Sequence, residues 1–124
     1  MALVALMLVV SSAGCSRPED EPTDVTIEMA VAPTPPTEGI VKVTLRLEGG
    51  DGEPVAAESV KLEGNMNHAG MKPSFAVARL VSPGVFEADL ELTMGGDWFV
   101  LVDAVLADGT TVQRKLDLPG VRAL

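Results

Sequence analysis

The stretch GNMNHAGMKP at residues 64–73 contains the only histidine of the chain, His68, which lies between Met66 and Met71. Thioether sulfur is a soft donor that suits calcium, magnesium and zinc poorly, whereas mixed thioether and imidazole donors suit Cu(I). A glycine and a proline bound the stretch, and both residues favour turns. The spacing M-x-H-x-x-M therefore indicates a copper-binding turn, provided that the fold brings these donors together.

The elements that position this turn are strands. After residue 24 most of the chain alternates between apolar and polar residues, which is the period of a half-buried strand. The clearest example is 41–48, where Val41, Val43, Leu45 and Leu47 face one way. About seven such segments are separated by turn signals, and none has helical periodicity. The pattern predicts an all-β fold, an immunoglobulin-like antiparallel β-sandwich of about seven strands.

The phase of the strands brings a third methionine to the same end of the sandwich. Counting by twos along the third strand leads to Met66 and His68, and counting along the fifth leads to Met94. In an up-and-down arrangement these two strands end at one pole. Trp98 opens the next strand, and an indole face can shield a bound cation from water. The predicted metal ligands are Met66, His68, Met71 and Met94, with Trp98 as a supporting residue.

The same residues also have a purely structural interpretation. Methionine is a flexible core filler, so apolar-phase methionines at a sandwich end can simply cap the core. Trp98 can be the usual core tryptophan of such sandwiches, and His68 can serve only to hydrogen-bond the turn. Both interpretations stay open from the residue types alone.

The beginning of the chain has the composition of a secretion signal. Residues 1–14 carry no charge and end in small residues before the single cysteine, Cys15. This stretch resembles a bacterial lipoprotein signal, which implies cleavage before Cys15, lipid on its thiol and attachment to a membrane. Residues 15–24 would then form the lipidated cysteine and an acidic flexible tether, and 25–124 the folded domain. The alternative is a first strand or buried helix that ends at a free cysteine.

Composition excludes several function classes. The net charge of −9 argues against nucleic acid as a partner, because phosphate binding needs a basic surface. With Cys15 lipidated, the domain has no disulfide, no thiolate metal site and no cysteine nucleophile. The chain has no tyrosine, and its one histidine has no serine–aspartate signature near it. We therefore predict that the protein is not an enzyme.

Two blocks of sequence resemble the YtkA-like domain family, which is related to the FixH proteins. The first is M-x-H-x-G-M-x-P at 66–73, and the second is G-x-F-x-A-x-L-x-L-x-M-x-G-x-W at 84–98. The resemblance spans most of 25–118. It implies a small extracytoplasmic β-sandwich, on the periplasmic side of a bacterial membrane and often a lipoprotein.

The relatives called FixH are associated with assembling a copper-containing terminal oxidase. The resemblance thus implies Cu(I) binding or delivery through Met66, His68, Met71 and Met94, with Trp98 beside them. It also implies a copper-accepting membrane protein, such as an oxidase, as a partner. The alternative is a non-catalytic β-sandwich interaction module of the cell envelope that binds no metal.

Overall fold

A computed structural model describes residues 24–124, which form eight β-strands and no helix. The predicted all-β class is therefore confirmed. Within this part of the chain there is accordingly no helix that could cross a membrane. The predicted signal peptide, Cys15 and nearly all of the predicted tether lie outside the described residues.

The strands form two four-stranded antiparallel sheets. In chain order they are β1 (Thr26–Ala32), β2 (Gly39–Glu48), β3 (Ala57–Met66), β4 (Ser74–Val77), β5 (Arg79–Ser82), β6 (Val85–Leu92), β7 (Gly96–Leu106) and β8 (Thr111–Val121). One sheet has the order β1-β2-β6-β5 and the other the order β4-β3-β7-β8. The segment beginning at Trp98, which is apolar on both faces, lies in β7 between β3 and β8, as its composition predicts.

The hydrophobic core lies between the two sheets. Alternate residues of each strand point inward, so the apolar set of β2 is buried while Lys42 and Arg46 between them are exposed. Across residues 24–124, 21 hydrophobic residues are buried and no polar or charged residue is. A chain that begins after Cys15 therefore contains the complete core of the described domain.

The structure has eight strands instead of about seven because one predicted strand is divided into β4 and β5. The apolar run FAVARLVS at 75–82 predicts one continuous strand. In the structure, however, β4 pairs with β3, whereas β5 pairs with β6 in the other sheet. The chain changes sheets at Ala78, whose N–H donates to the carbonyl of Val60 at 2.9 Å. Phe75, Val77 and Leu80 are all exposed. Their apolar character therefore does not mark an inward face.

Three connections and the chain end gather at one pole of the sandwich, which we term the loop pole. It comprises residues 33–38, 67–73, 93–95 and 122–124. The chain end is bonded to the first of these loops, because Glu38 N–H donates to the carbonyl of Arg122 at 2.7 Å and Arg122 N–H donates to that of Pro36 at 3.0 Å. These bonds bridge the two sheets and fix the loop pole. The opposite pole contains the turns 49–56, 83–84 and 107–110.

The hairpin at the opposite pole is held by a carboxylate. The backbone N–H of Thr110 donates to Oδ1 of Asp108 at 2.9 Å. The backbone and side-chain hydrogen bonds from Thr110 hold the pKa of Asp108 below its usual value of 3.8. A carboxyl whose pKa falls on folding stabilises the fold above its unfolded pKa, and this stabilisation is lost as the pH falls through the folded pKa.

We therefore expect acid to weaken the wild-type hairpin more than that of an Asp108→Asn variant. The asparagine keeps an acceptor oxygen but does not titrate. Urea denaturation at about pH 5 and about pH 3 would show a smaller drop in unfolding free energy for the variant. Equal drops in the two proteins would contradict the role of Asp108.

Candidate metal centre

The predicted ligands lie at the loop pole because of how β3 pairs with β7. Met66 is the last residue of β3 and lies opposite Trp98, the third residue of β7. The loop 67–73 leaves β3 at this point, and the turn 93–95 enters β7 beside it. The structure therefore brings His68, Met71 and Met94 to the same end of the sandwich as Met66.

Met66 forms the base of this pole. Its side chain is buried, with 8% of its surface exposed. A side chain at Gly96 would put its Cβ 2.7 Å from the Cε methyl of Met66, so the methyl occupies space that the glycine leaves open. Gly96 also has a φ of 133°, a conformation that favours glycine. Met66 therefore packs as a core residue directly beneath the turn that contains Met94.

In the loop 67–73 the side chain of His68 faces solvent, whereas that of Met71 faces the core. A tight turn forms where the N–H of Met71 donates to the carbonyl of His68 at 3.4 Å, with Gly70 at a φ of 78° between them. His68 is exposed, while Met71 is half-buried and packs against the core. The imidazole is thus accessible to a metal ion or a partner, whereas the Met71 side chain packs towards the core.

The turn 93–95 is fixed by the tryptophan that follows it. Trp98 is 2% exposed, and its Nε1–H donates to the carbonyl of Met94 at 2.9 Å. The Met94 side chain remains 43% exposed. Gly95 packs against the chain end, because a Cβ there would lie 2.7 Å from the backbone nitrogen of Ala123. The backbone of Met94 is therefore held on two sides while its thioether faces outward.

The sequence leaves open whether Trp98 shields a bound cation or is a core residue, and its burial corresponds to the core role. Its ring also lies against Gly64, where an added Cβ would be 3.6 Å from Cε3. Through its N–H, Trp98 fixes the turn that carries Met94. It therefore supports the candidate ligands by positioning one of them, with little of its surface left for contact with an ion at the surface.

The donors at this pole are soft. Among residues 24–124, no three histidine, cysteine, aspartate or glutamate side chains lie close enough together to hold a metal ion. The nearby carboxylate of Asp97 accepts a hydrogen bond from the N–H of Gly120 at 2.9 Å. An ion bound here would therefore depend on thioether sulfur together with the His68 imidazole.

Sequence reasoning missed the residues that hold the pole in shape. The Asp97–Gly120 bond and the contact of Gly95 with Ala123 both join β7 or its turn to the end of β8. These are long-range contacts that no local pattern reveals. The Gly95-Gly96 pair in the sequence indicates a turn here, but not the contacts that this turn makes.

Comparison with known proteins agrees with the resemblance of the two sequence blocks. The model of the YtkA-like family matches residues 19–103. The match includes both blocks and most of the two sheets. No curated protein matches the chain. Because the matched residues make up more than half of its length, the chain belongs to the YtkA-like family.

Proposed function

We propose that the protein binds Cu(I) at the loop pole and holds or delivers it outside the cytoplasm. The ligands in this proposal are Met66, His68, Met71 and Met94. One observation carries it: Trp98 pairs with Met66 across the β3–β7 ladder and also bonds the carbonyl of Met94. The buried Trp98 is thus hydrogen-bonded to Met94 and paired with Met66, which are two of the four proposed ligands.

The differing burial of the donors suits a site that gains and loses its ion. His68 and Met94 are exposed and would meet an incoming ion first. Met71 is half-buried, and Met66 would supply sulfur from beneath after a small movement of its methyl group. Thioethers bind Cu(I) without proton loss, so such a site works without a thiolate.

We further propose that the chain is anchored by lipid on Cys15 on the periplasmic side of a bacterial membrane. The uncharged segment 1–14 and the small residues before Cys15 support this location. A copper-accepting membrane protein, such as an oxidase, is the proposed recipient. We regard the protein as a binding protein and not an enzyme, because His68 is the only histidine and the domain lacks both cysteine and tyrosine.

The test is a Cu(I) titration of residues 16–124 under reducing conditions, in competition with a chromogenic Cu(I) chelator. We expect one equivalent to bind. His68→Ala should weaken binding by about tenfold or more, which corresponds to about 1.4 kcal/mol, and Met94→Leu should have an effect of similar size. Both side chains are exposed, so neither change should lower the unfolding free energy by more than about 0.5 kcal/mol.

A matched control removes a thioether from elsewhere in the domain. Met29 is half-buried in the middle of β1, where it pairs with Leu45, away from the loop pole. Met29→Leu should leave Cu(I) affinity unchanged. Wild-type affinity in both His68→Ala and Met94→Leu would reject the site, and so would an equal loss in Met29→Leu.

The second candidate function is that of a metal-free interaction module of the cell envelope. The exposed apolar side chains of β4 and β5 favour it. In that case the wild-type chain would not compete with the chelator for Cu(I). The buried Met66 would then serve only packing, and Met66→Ser would unfold the domain.

A further inference from the structure

The methionines are the most readily oxidised side chains of the domain. Cys15 is the only cysteine, so residues 16–124 contain no thiol, and their sulfur atoms are the thioethers of Met29, Met66, Met71 and Met94. A thioether can take up one oxygen atom to become a sulfoxide, and methionine sulfoxide reductases reverse this change. Solvent exposure decides which of the four side chains an oxidant in solution reaches first.

Exposure distinguishes Met94 from the other three. Its side chain is 43% exposed, whereas Met66 is 8% exposed. Met29 and Met71 are half-buried and pack against the core. We propose that Met94 is a site of reversible oxidation, and that its conversion to the sulfoxide lowers the affinity of the loop pole for Cu(I). The effect on Cu(I) rests on the proposed function, whereas the site of oxidation does not.

The oxidant in this proposal is a peroxide. A lone pair of the Met94 sulfur attacks one oxygen of hydrogen peroxide, so that a sulfur–oxygen bond forms and the O–O bond breaks. The departing hydroxide takes the proton of the transferred oxygen and leaves as water. The sulfur is oxidised by two electrons, and the peroxide is reduced by the same two. Because hydrogen peroxide is uncharged, the net charge of −9 does not hinder its approach.

The surroundings of Met94 tolerate the added oxygen. The backbone of this turn is held by the hydrogen bond from Trp98 to the Met94 carbonyl and by the packing of Gly95 against Ala123. Neither contact involves the Met94 side chain, which faces solvent, so a polar sulfoxide there stays hydrated. Oxidation of the buried Met66 would instead place a polar group in the core. Modification of Met94 therefore changes the site without unfolding the domain.

The modification changes the kind of donor that Met94 offers to a metal ion. Thioether sulfur is a soft donor that suits Cu(I), whereas the sulfoxide oxygen is a hard donor that suits it poorly. His68 and the other two thioethers of the loop pole keep their donor atoms. The oxidised domain should therefore lose about as much affinity as the Met94→Leu variant, which is about tenfold.

Limited treatment of residues 16–124 with hydrogen peroxide, followed by peptide mass spectrometry, tests the site of oxidation. Met94 should be converted several times faster than Met29 and Met71, and Met66 should react last. The circular dichroism spectrum should be unchanged once Met94 is fully converted. If Met29 or Met71 reacts as fast as Met94, the proposal is wrong, whether or not the domain binds copper.

Competition with the Cu(I) chelator, after the peroxide has been removed, tests the effect on the metal. The oxidised wild-type domain should bind Cu(I) about tenfold more weakly than the untreated one, and methionine sulfoxide reductases should restore the affinity. Met94→Leu is the matched control, because it has no sulfur at this position. The same treatment should leave its remaining affinity unchanged.

The outcomes separate this proposal from the proposed function. Undiminished Cu(I) affinity of the oxidised wild-type domain would overturn the role of Met94 oxidation and leave the proposed function standing. An equal fall in affinity of the treated Met94→Leu variant would also overturn it, because the loss would then come from another residue. An untreated domain that does not compete with the chelator would reject the proposed function, and the effect of oxidation on Cu(I) with it.

Discussion

Trp98→Ala is expected to lower the free energy of unfolding by about 3–5 kcal/mol, as for other large-to-small changes in packed cores. Trp98 is the largest side chain of the core, and it packs against Gly64 and beneath the turn 93–95. Its loss opens a cavity that the two sheets cannot close. Urea denaturation followed by circular dichroism would measure the change. If copper binds at the loop pole, the variant should also lose Cu(I) affinity.

Two further variants separate packing from the hydrogen bond. Trp98→Phe keeps an aromatic ring but cannot donate to the Met94 carbonyl, so we expect a loss of about 1–2 kcal/mol beyond the change in ring size. Phe99→Ala alters the next residue, which faces outward and is only half-buried, and should cost about 1 kcal/mol. A Trp98→Ala variant no less stable than Phe99→Ala would contradict the core role of Trp98.

Gly84→Ala is expected to destabilise the fold by about 2–4 kcal/mol, through strain and overlap together. A Cβ at this position would lie 2.7 Å from the Cβ of Pro54 and 2.8 Å from the carbonyl oxygen of Leu47. The carbonyl of Gly84 also accepts a hydrogen bond from the N–H of Leu47 at 2.8 Å. The turn cannot retreat from the overlap without losing this bond. Denaturant unfolding of the purified variant would measure the effect.

Gly109→Ala provides the matched control. Gly109 has a φ of 87°, close to the 71° of Gly84, but a Cβ there would meet nothing within 4 Å. The Gly109→Ala variant therefore measures the effect of backbone strain alone, and we expect it to lower the free energy of unfolding by about 1 kcal/mol. Equal destabilisation of the two variants would mean that the contacts with Pro54 and Leu47 contribute little. Gly84 would then be needed only for its backbone conformation.

Most of the architecture follows from the period of two in the sequence. Strands such as β2 and β6 have one apolar and one polar face, so their existence and their inward side can both be predicted. In the segment 74–82 the inward side cannot be predicted in this way. Phe75 and Val77 lie on one side and Leu80 on the other, and all three are apolar yet exposed. The sheet that β4 or β5 joins depends on long-range pairing with β3 or β6, and this pairing cannot be predicted from the local sequence.

The candidate site was predictable in position but not in detail. Up-and-down alternation correctly brings the loop after β3 beside the turn before β7. The inward phase, however, holds only as far as Met66, because β3 ends there. His68 and Met94 lie beyond the strand ends, where the period of two no longer applies, and both are exposed. The bond from Trp98 to the Met94 carbonyl depends on side-chain geometry that the sequence does not specify.

The position at which the described chain enters the sandwich affects how copper could be passed on. Asp24 packs beside Gly50, at the end of the molecule remote from His68 and Met94. The 11 residues of β7 separate the two ends by about 35 Å. With the proposed anchoring through Cys15, the tether would join the domain at the end opposite His68 and Met94. The tether would then leave the loop pole unobstructed for a recipient protein.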